Sequence, residues 1–288
     1  MTTRGAALSI NEDVGNDSKQ KQQPEAEPLI DEDNDLFIPA DMFEEPVGFR
    51  PPSPKPTMVT FNREASNVQQ DTLATFSVNL VGKHSLWAHW LWNAGKSMTN
   101  YLDKHKEMVS GKNVLELGAA AALPTIISAL NGATKVVVST DYPDPALLSN
   151  ITLNAKENTP HLLENGTIVV EGFIWGEDHT HVLSHLSDSG KTKFDLILMA
   201  DLIFNHNQHM NLLKSSRDML APNGVVYTTF THHVVKWADR DMKFFDLAIE
   251  AGFKFEKIYE ERWECMFPED DGDVDVRSTV HGYKMWIE

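Results

Sequence analysis

The sequence predicts an α/β domain with a doubly wound, mostly parallel sheet. Three observations predict it: short, largely apolar runs recur along the chain, amphipathic stretches alternate with them, and two of the runs end in an acid. Strands of that kind are covered by helices on both faces. Ser85 is placed to cap a first helix that carries Leu86, Trp87, Trp90, Leu91, Ala94, Met98, Tyr101 and Leu102 at three- and four-residue steps. That spacing assigns Trp87 and Trp90 to the core. Residues 113–117 then read as a strand ending at Gly118, and residues 121–130 as a helix closed by Asn131 and Gly132. A β-branched strand over 135–141 ends in Asp141, a helix covers 144–157, and a strand covers 167–170. Residues 194–201 form a buried strand ending in Asp201, followed by a helix over 209–220 and a strand over 224–230. Two further strands, 253–263 and 280–287, are separated by an acidic loop and no crossover helix. They predict an antiparallel hairpin at the sheet edge.

The 288 residues carry a formal charge of -17 and a single cysteine, Cys265. That sign disfavours nucleic acid and anionic membranes as partners and favours cationic ones. One cysteine rules out an internal disulfide and fits a reducing compartment. No apolar run approaches the roughly 20 residues needed to span a bilayer, and the N-terminus has no apolar signal core. The expected location is the cytoplasm. Nine acids and two lysines between Glu12 and Asp35 describe a solvated, disordered tail over 1–36. Residues 37–84, with their proline run at 51–56, are expected to lie extended across the domain surface.

Ligands of open α/β sheets bind beyond the carboxyl ends of the strands, so the residues there are the candidates for chemistry. After the first predicted strand come Gly118, Ala119, Ala120, Ala121 and Ala122, small enough for backbone amides to approach a ligand. Asp141, after the second, lies at the distance from the glycine where an acid accepts bonds from ribose hydroxyls, or else it caps the following turn. Phe173, Ile174, Trp175 and Gly176 follow the third, and Ala200, Asp201, Leu202, Ile203 and Phe204 end the fourth. A dinucleotide site prefers three glycines around a pyrophosphate, whereas only Gly118 is glycine here. A phosphate-free adenosine cofactor, S-adenosylmethionine (SAM), fits that loop better. His206, His209, His232 and His233 offer pairwise spacing but no convergent set of ligands, so no metal is expected.

Four ordered motifs resemble the seven-strand, Rossmann-like lysine methyltransferases called family 16. They are Leu91-Trp92-Asn93-Ala94 with Tyr101-Leu102-Asp103, then Val114-Leu115-Glu116-Leu117-Gly118, then Trp175-Gly176-Glu177, then Met199-Ala200-Asp201-Leu202-Ile203-Phe204. The resemblance covers residues 43–288 and implies a SAM-dependent methyltransferase domain over 85–288. It implies that Trp92 packs by the cofactor and that Gly118, Ala119 and Ala120 approach its methionine part. It further implies that Asp141 holds the ribose, Trp175 stacks near the adenine and Ala200 lines the cofactor wall. Asp201 and Phe204 would stand at the substrate mouth, Asp201 aligning the incoming amine while solvent takes its proton; the other reading of Asp201 is a helix cap. Phe204 replaces a common tyrosine, and the alanines replace a common second glycine. Phe43-Glu44-Glu45-Pro46, Phe49-Arg50-Pro51-Pro52, Leu86-Trp87 and the run 139–144 resemble the fungal branch of the family. That branch methylates the N-terminal glycine and adjacent lysine of translation elongation factor 1-alpha. The resemblance thus implies a protein partner and a monomeric enzyme. The alternative is a small-molecule N-methyltransferase acting on nicotinamide or a similar amine.

Overall fold

The computed structural model describes residues 55–288 except 83, 134 and 135. The acidic tail expected over 1–36, the motifs at 43–46 and 49–52, and residues 51–54 of the proline run lie outside the described residues. The chain enters through a hairpin of β1 (Thr57–Asn62) and β2 (Thr75–Leu80). After α1 (Asn93–Lys104), strands and helices alternate: β3 (Val114–Leu117), α2 (Leu123–Leu130), β4 (Val137–Asp141), α3 (Pro145–Asn158). A short α4 (Pro160–Glu164), β5 (Ile168–Gly172), a short α5 (Thr180–Ser184), β6 (Phe194–Ala200) and α6 (His209–Met219) continue the pattern. The last part holds β7 (Leu220–Thr231), α7 (Ala238–Glu250), β8 (Phe253–Arg262), a single-turn α8 (Val274–Ser278) and β9 (Thr279–Ile287).

Seven strands form one sheet in the order β5-β4-β3-β6-β7-β9-β8. The pairs from β5 to β7 are parallel, and β9 runs antiparallel between β7 and the edge strand β8. The predicted fold class and its antiparallel edge hairpin are therefore present. Successive residues of the central strands feed two different cores, because strand side chains alternate faces. Leu196 and Leu198 join one core while Ile197 and Met199 join the other. Both faces of β6 are thus dry beyond Asp195, which is why residues 196–200 are an unbroken apolar run.

The entry hairpin, expected only as extended chain, buries Phe61, Phe76, Val78 and Leu80 in the same core as Val114, Ile126 and Leu198. Asn154 and Asn158 of α3 bond the free backbone of β2 at Asn79 and Ser77, which caps an otherwise open edge. Arg63 grips Asp103 of α1 with two nitrogens at 2.8 and 2.9 Å, both side chains buried.

The first predicted helix begins seven residues late, capped at Trp92 and not at Ser85. Trp87 sits at φ 61°, a left-handed conformation that no α-helix contains. Residues 84–92 instead make three-residue turns, Trp87 N–H to the His84 carbonyl and Trp90 N–H to the Trp87 carbonyl. The first four-residue step is the Lys96 N–H to the Trp92 carbonyl. Trp87 and Trp90 are consequently 48% and 39% exposed, which corrects their assignment to the core. Helix α7 was not legible, since Trp237 occupies its N-cap without a capping side chain.

Candidate active site

At the carboxyl ends of β3, β4, β5 and β6 lies a cavity of about 470 Å³. All nine predicted site residues line it: Trp92, Gly118, Ala119, Ala120, Asp141, Trp175, Ala200, Asp201 and Phe204. The loop after β3 alternates left-handed residues, Gly118 at φ 63°, Ala120 at 47° and Ala122 at 59°. A left-handed alanine costs about 1–2 kcal/mol, so the loop keeps the backbone of a glycine-rich turn under strain. A Cβ on Gly118 would come within 2.6 Å of Leu202 Cδ2 and 3.2 Å of Trp175 Cζ2. The indole therefore lies directly over the glycine.

Trp175 is held from behind. The Gly176 N–H donates to Ser215 Oγ at 2.8 Å and Lys214 Nζ donates to the Gly176 carbonyl at 2.7 Å, both from α6. Across the loop, the buried Asp141 carboxylate accepts the Ala120 N–H at 2.8 Å and the Tyr142 N–H at 2.7 Å. It ties the β4 end to the strained loop and caps no helix, since Asp144 is the N-cap of α3. Burial pushes its carboxyl up, against the two amide bonds. Its remaining lone pairs are available to ribose hydroxyls. Glu116, fully buried beneath, accepts the Thr125 N–H at 3.0 Å and the Thr125 hydroxyl at 2.5 Å. Burial, outweighing those bonds, pushes it up to about 8.

The β6 end is built differently. Asp201 has φ 58°, and the N-cap of the following helix α6 is Gln208, with no side-chain cap bond. His233 Nε2 donates to both carboxylate oxygens at 3.0 and 3.1 Å, and the Thr231 N–H approaches one at 3.4 Å. The helix-cap reading of Asp201 is thereby corrected. Burial lowers the His233 pKa, but the charge and hydrogen bond of Asp201, together with the charge of Asp241, more than reverse it, leaving the group raised. The His233 ring meets Trp92 edge-on at 5.0 Å and Phe267 at 6.2 Å. Phe267 also touches Trp90 and Trp92, at 5.6 and 5.9 Å. The loop between β8 and β9 thus packs Phe267 behind Trp90 and Trp92 of the aromatic mouth. Phe204 also lines the cavity, 38% exposed, on a segment braced by His209 Nε2 donating to the Ile203 carbonyl and by His206 bonding Asp241. His232 takes the other Asp241 oxygen at 2.7 Å. His206 and His232 thus share Asp241 while His209 and His233 bond elsewhere, and among the described residues no group of three or more metal-ligating side chains could hold a metal ion. Sequence reading missed His233 and Phe267. The only signal was the His232-His233 pair, considered there for metal alone.

The acidic residues lining the cavity are Glu116, Asp141 and Asp201, with no lysine or arginine among the described lining residues. A pyrophosphate would meet acids and no cation among them. A sulfonium-bearing nucleoside with an amino-acid tail meets complementary charge, an acid for its sugar and an indole. The residues present fit SAM.

A sheet of this order with such a cavity defines a SAM-dependent methyltransferase. Residues 78–251 match the family model described as lysine methyltransferase. The chain belongs to that family. It is 46% identical over 257 residues to the protein N-terminal and lysine N-methyltransferase of Schizosaccharomyces pombe, covering 88% of this chain and 98% of the relative. It is 42% identical to the protein of the same name from Candida glabrata, covering 85% of this chain and 94% of that one. Among the described residues no helix is long and apolar enough to cross a membrane.

Proposed function

We propose that this enzyme methylates the α-amine of the N-terminal glycine and the adjacent lysine of translation elongation factor 1-alpha, acting as a cytoplasmic monomer. The observation that carries the reading is the mouth. Trp87, Trp90 and Phe204 are exposed around an opening whose titratable lining side chains, among the described residues, are all acidic. Such a rim suits an extended, cationic chain end better than a neutral ring. The names of the relatives and the elongation-factor resemblance agree with it.

SAM, when bound, supplies a methyl group on a sulfonium for in-line transfer to an amine lone pair. In this reading Asp141 holds the sugar hydroxyls, Gly118 to Ala120 face the amino-acid part and Trp175 covers the purine. Trp92 and Ala200 wall the space between donor and acceptor. Phe204 favours the methylated, cationic product through its ring face. The α-amine is the easier first acceptor. At pH 7 it must give up a proton across about one pKa unit, the lysine across about 3–4, roughly 4–5 kcal/mol.

Mass spectrometry of elongation factor 1-alpha incubated with enzyme and SAM tests this. Methyl increments on the N-terminal peptide, at the α-amine and the next lysine, are expected. An unmodified N-terminal peptide, with nicotinamide methylated instead, overturns the protein reading in favour of the small-molecule one.

A further inference from the structure

We infer that His233 takes the proton from the acceptor ammonium, with Asp201 holding its imidazole in place. The inference deepens the proposed function and rests on the acceptor arriving as a protonated amine.

An ionised carboxylate only accepts hydrogen bonds, so the nitrogen 3.0 Å from Asp201 carries the hydrogen, and the neutral form of His233 is the Nε2–H tautomer. That leaves the lone pair on Nδ1. Nδ1 has no hydrogen-bond partner among the described residues. The His233 side chain is 12% exposed, while that of Asp201 is 3% exposed. Of the pair, Asp201 lines the cavity, while the imidazole, packed against Trp92 at its edge, is the more exposed and keeps a nitrogen free to accept. The backbone cannot easily let it go. Its own N–H donates to the Thr231 carbonyl at 3.0 Å, and Thr231 N–H reaches back to Asp201. Asp201 itself is held in a left-handed conformation with its N–H on the Thr229 carbonyl at 2.7 Å. Strain of this sort is retained where the surroundings fix it for a purpose. The ring lies against Trp92, which lines the cavity.

This is the arrangement of an acid that orients a histidine whose second nitrogen works. An ammonium N–H bond breaks and its proton goes to Nδ1, directly or through one water. The N–H electron pair becomes the lone pair that receives the methyl group, while the C–S electrons stay on the donor's sulfur. The resulting imidazolium is stabilised by Asp201 and by Asp241 on α7. These are the charged groups acting on His233, and both raise its pKa. Trp92 and Phe267 face it without charge.

The test compares His233→Gln with His233→Ala, using a glycine-initiated peptide of elongation factor 1-alpha and SAM. Glutamine keeps a donor for Asp201 but has no base, so a role limited to positioning predicts that glutamine restores the rate. The inference predicts that both variants lose about 100-fold or more in kcat at pH 7, in the range of general-base catalysis, with SAM binding by calorimetry changed less than threefold. Added imidazole should restore part of the His233→Ala rate. In donor-free protein, nitrogen NMR should show Nε2 protonated and Nδ1 bare, with the ring titrating above its ordinary value and falling in Asp201→Asn. A His233→Gln enzyme within threefold of the wild-type kcat overturns the inference while leaving the substrate reading intact. Wild-type enzyme that binds SAM and leaves the peptide unmodified overturns the substrate reading instead.

Discussion

The two halves of the cavity are made by opposite means. The donor half is local: Gly118, Ala120, Asp141 and Trp175 lie on three successive strand ends, and one hydrogen bond from Ala120 N–H to Asp141 joins the first to the second. Its carboxyls, Asp141 and Glu116, are pushed up by burial. The acceptor half is assembled from afar. Trp92 precedes α1, Asp201 follows β6, His233 follows β7 and Phe267 comes from the loop before β9. Its acid is paired with a histidine. A site that grips one constant donor needs a rigid, short-range frame, whereas a surface for a particular chain end is free to draw on whatever the fold brings near.

The sharpest way to break this division is Gly118→Ala. The new methyl group must displace Leu202 and press on Trp175 at a backbone angle alanine resists. Donor affinity should fall by about 100-fold or more in calorimetry, about 2.7 kcal/mol, while peptide binding in the absence of donor stays within twofold. An equal loss of both would mean the halves are one unit.

Glu116→Gln comes next. Folded, Glu116 keeps its proton to about 8, while the unfolded chain releases it near 4.5. Between those values the unfolded state binds fewer protons, so stability falls as pH rises. Glutamine can accept both Thr125 bonds without that penalty. Its advantage in urea unfolding should be near zero at pH 5 and grow to a few kcal/mol by pH 8. An advantage independent of pH would show that Glu116 is not held protonated.

On the acceptor side, Phe267→Ala removes a ring shared by Trp90, Trp92 and His233. It should raise the KM for peptide about five- to tenfold and leave the KM for SAM unchanged; a change confined to SAM would move Phe267 to the other half. The smallest effect is expected from Ala122→Gly. Relief at φ 59° offsets the loss of a buried methyl group packed near Ile151. Stability should rise by less than about 1 kcal/mol, and a fall of that size would show that packing, not backbone strain, dominates the loop.

The same division explains what the sequence made legible. Strands buried on both faces announce themselves as apolar runs, and their ends fall at fixed spacing. Gly118, Asp141, Trp175 and Asp201 could therefore be placed in one cavity from the order of elements alone. The mouth could not. Leu86, Trp87, Trp90 and Leu91 recur at helical spacing, yet Trp87 turns left-handed and the segment becomes a rim. Periodicity reports which residues are apolar together and is silent on whether they face a core or a cavity. His233 was hidden for another reason. Its partner lies 32 positions away, and two adjacent histidines in a strand-end loop look alike until one pairs with Asp241 and the other with Asp201. The helix α7 that carries Asp241 offered no cap to mark its start.

The central claim is that this carboxylate-lined cavity holds a sulfonium nucleoside by its sugar. Calorimetric titration of wild-type protein and Asp141→Ala with SAM, and of wild-type protein with a nicotinamide dinucleotide, tests it most directly. The account predicts a single SAM site in the wild type, a loss of about 100-fold or more in Asp141→Ala, and no heat from the dinucleotide. Dinucleotide binding, or SAM affinity indifferent to Asp141, would contradict it.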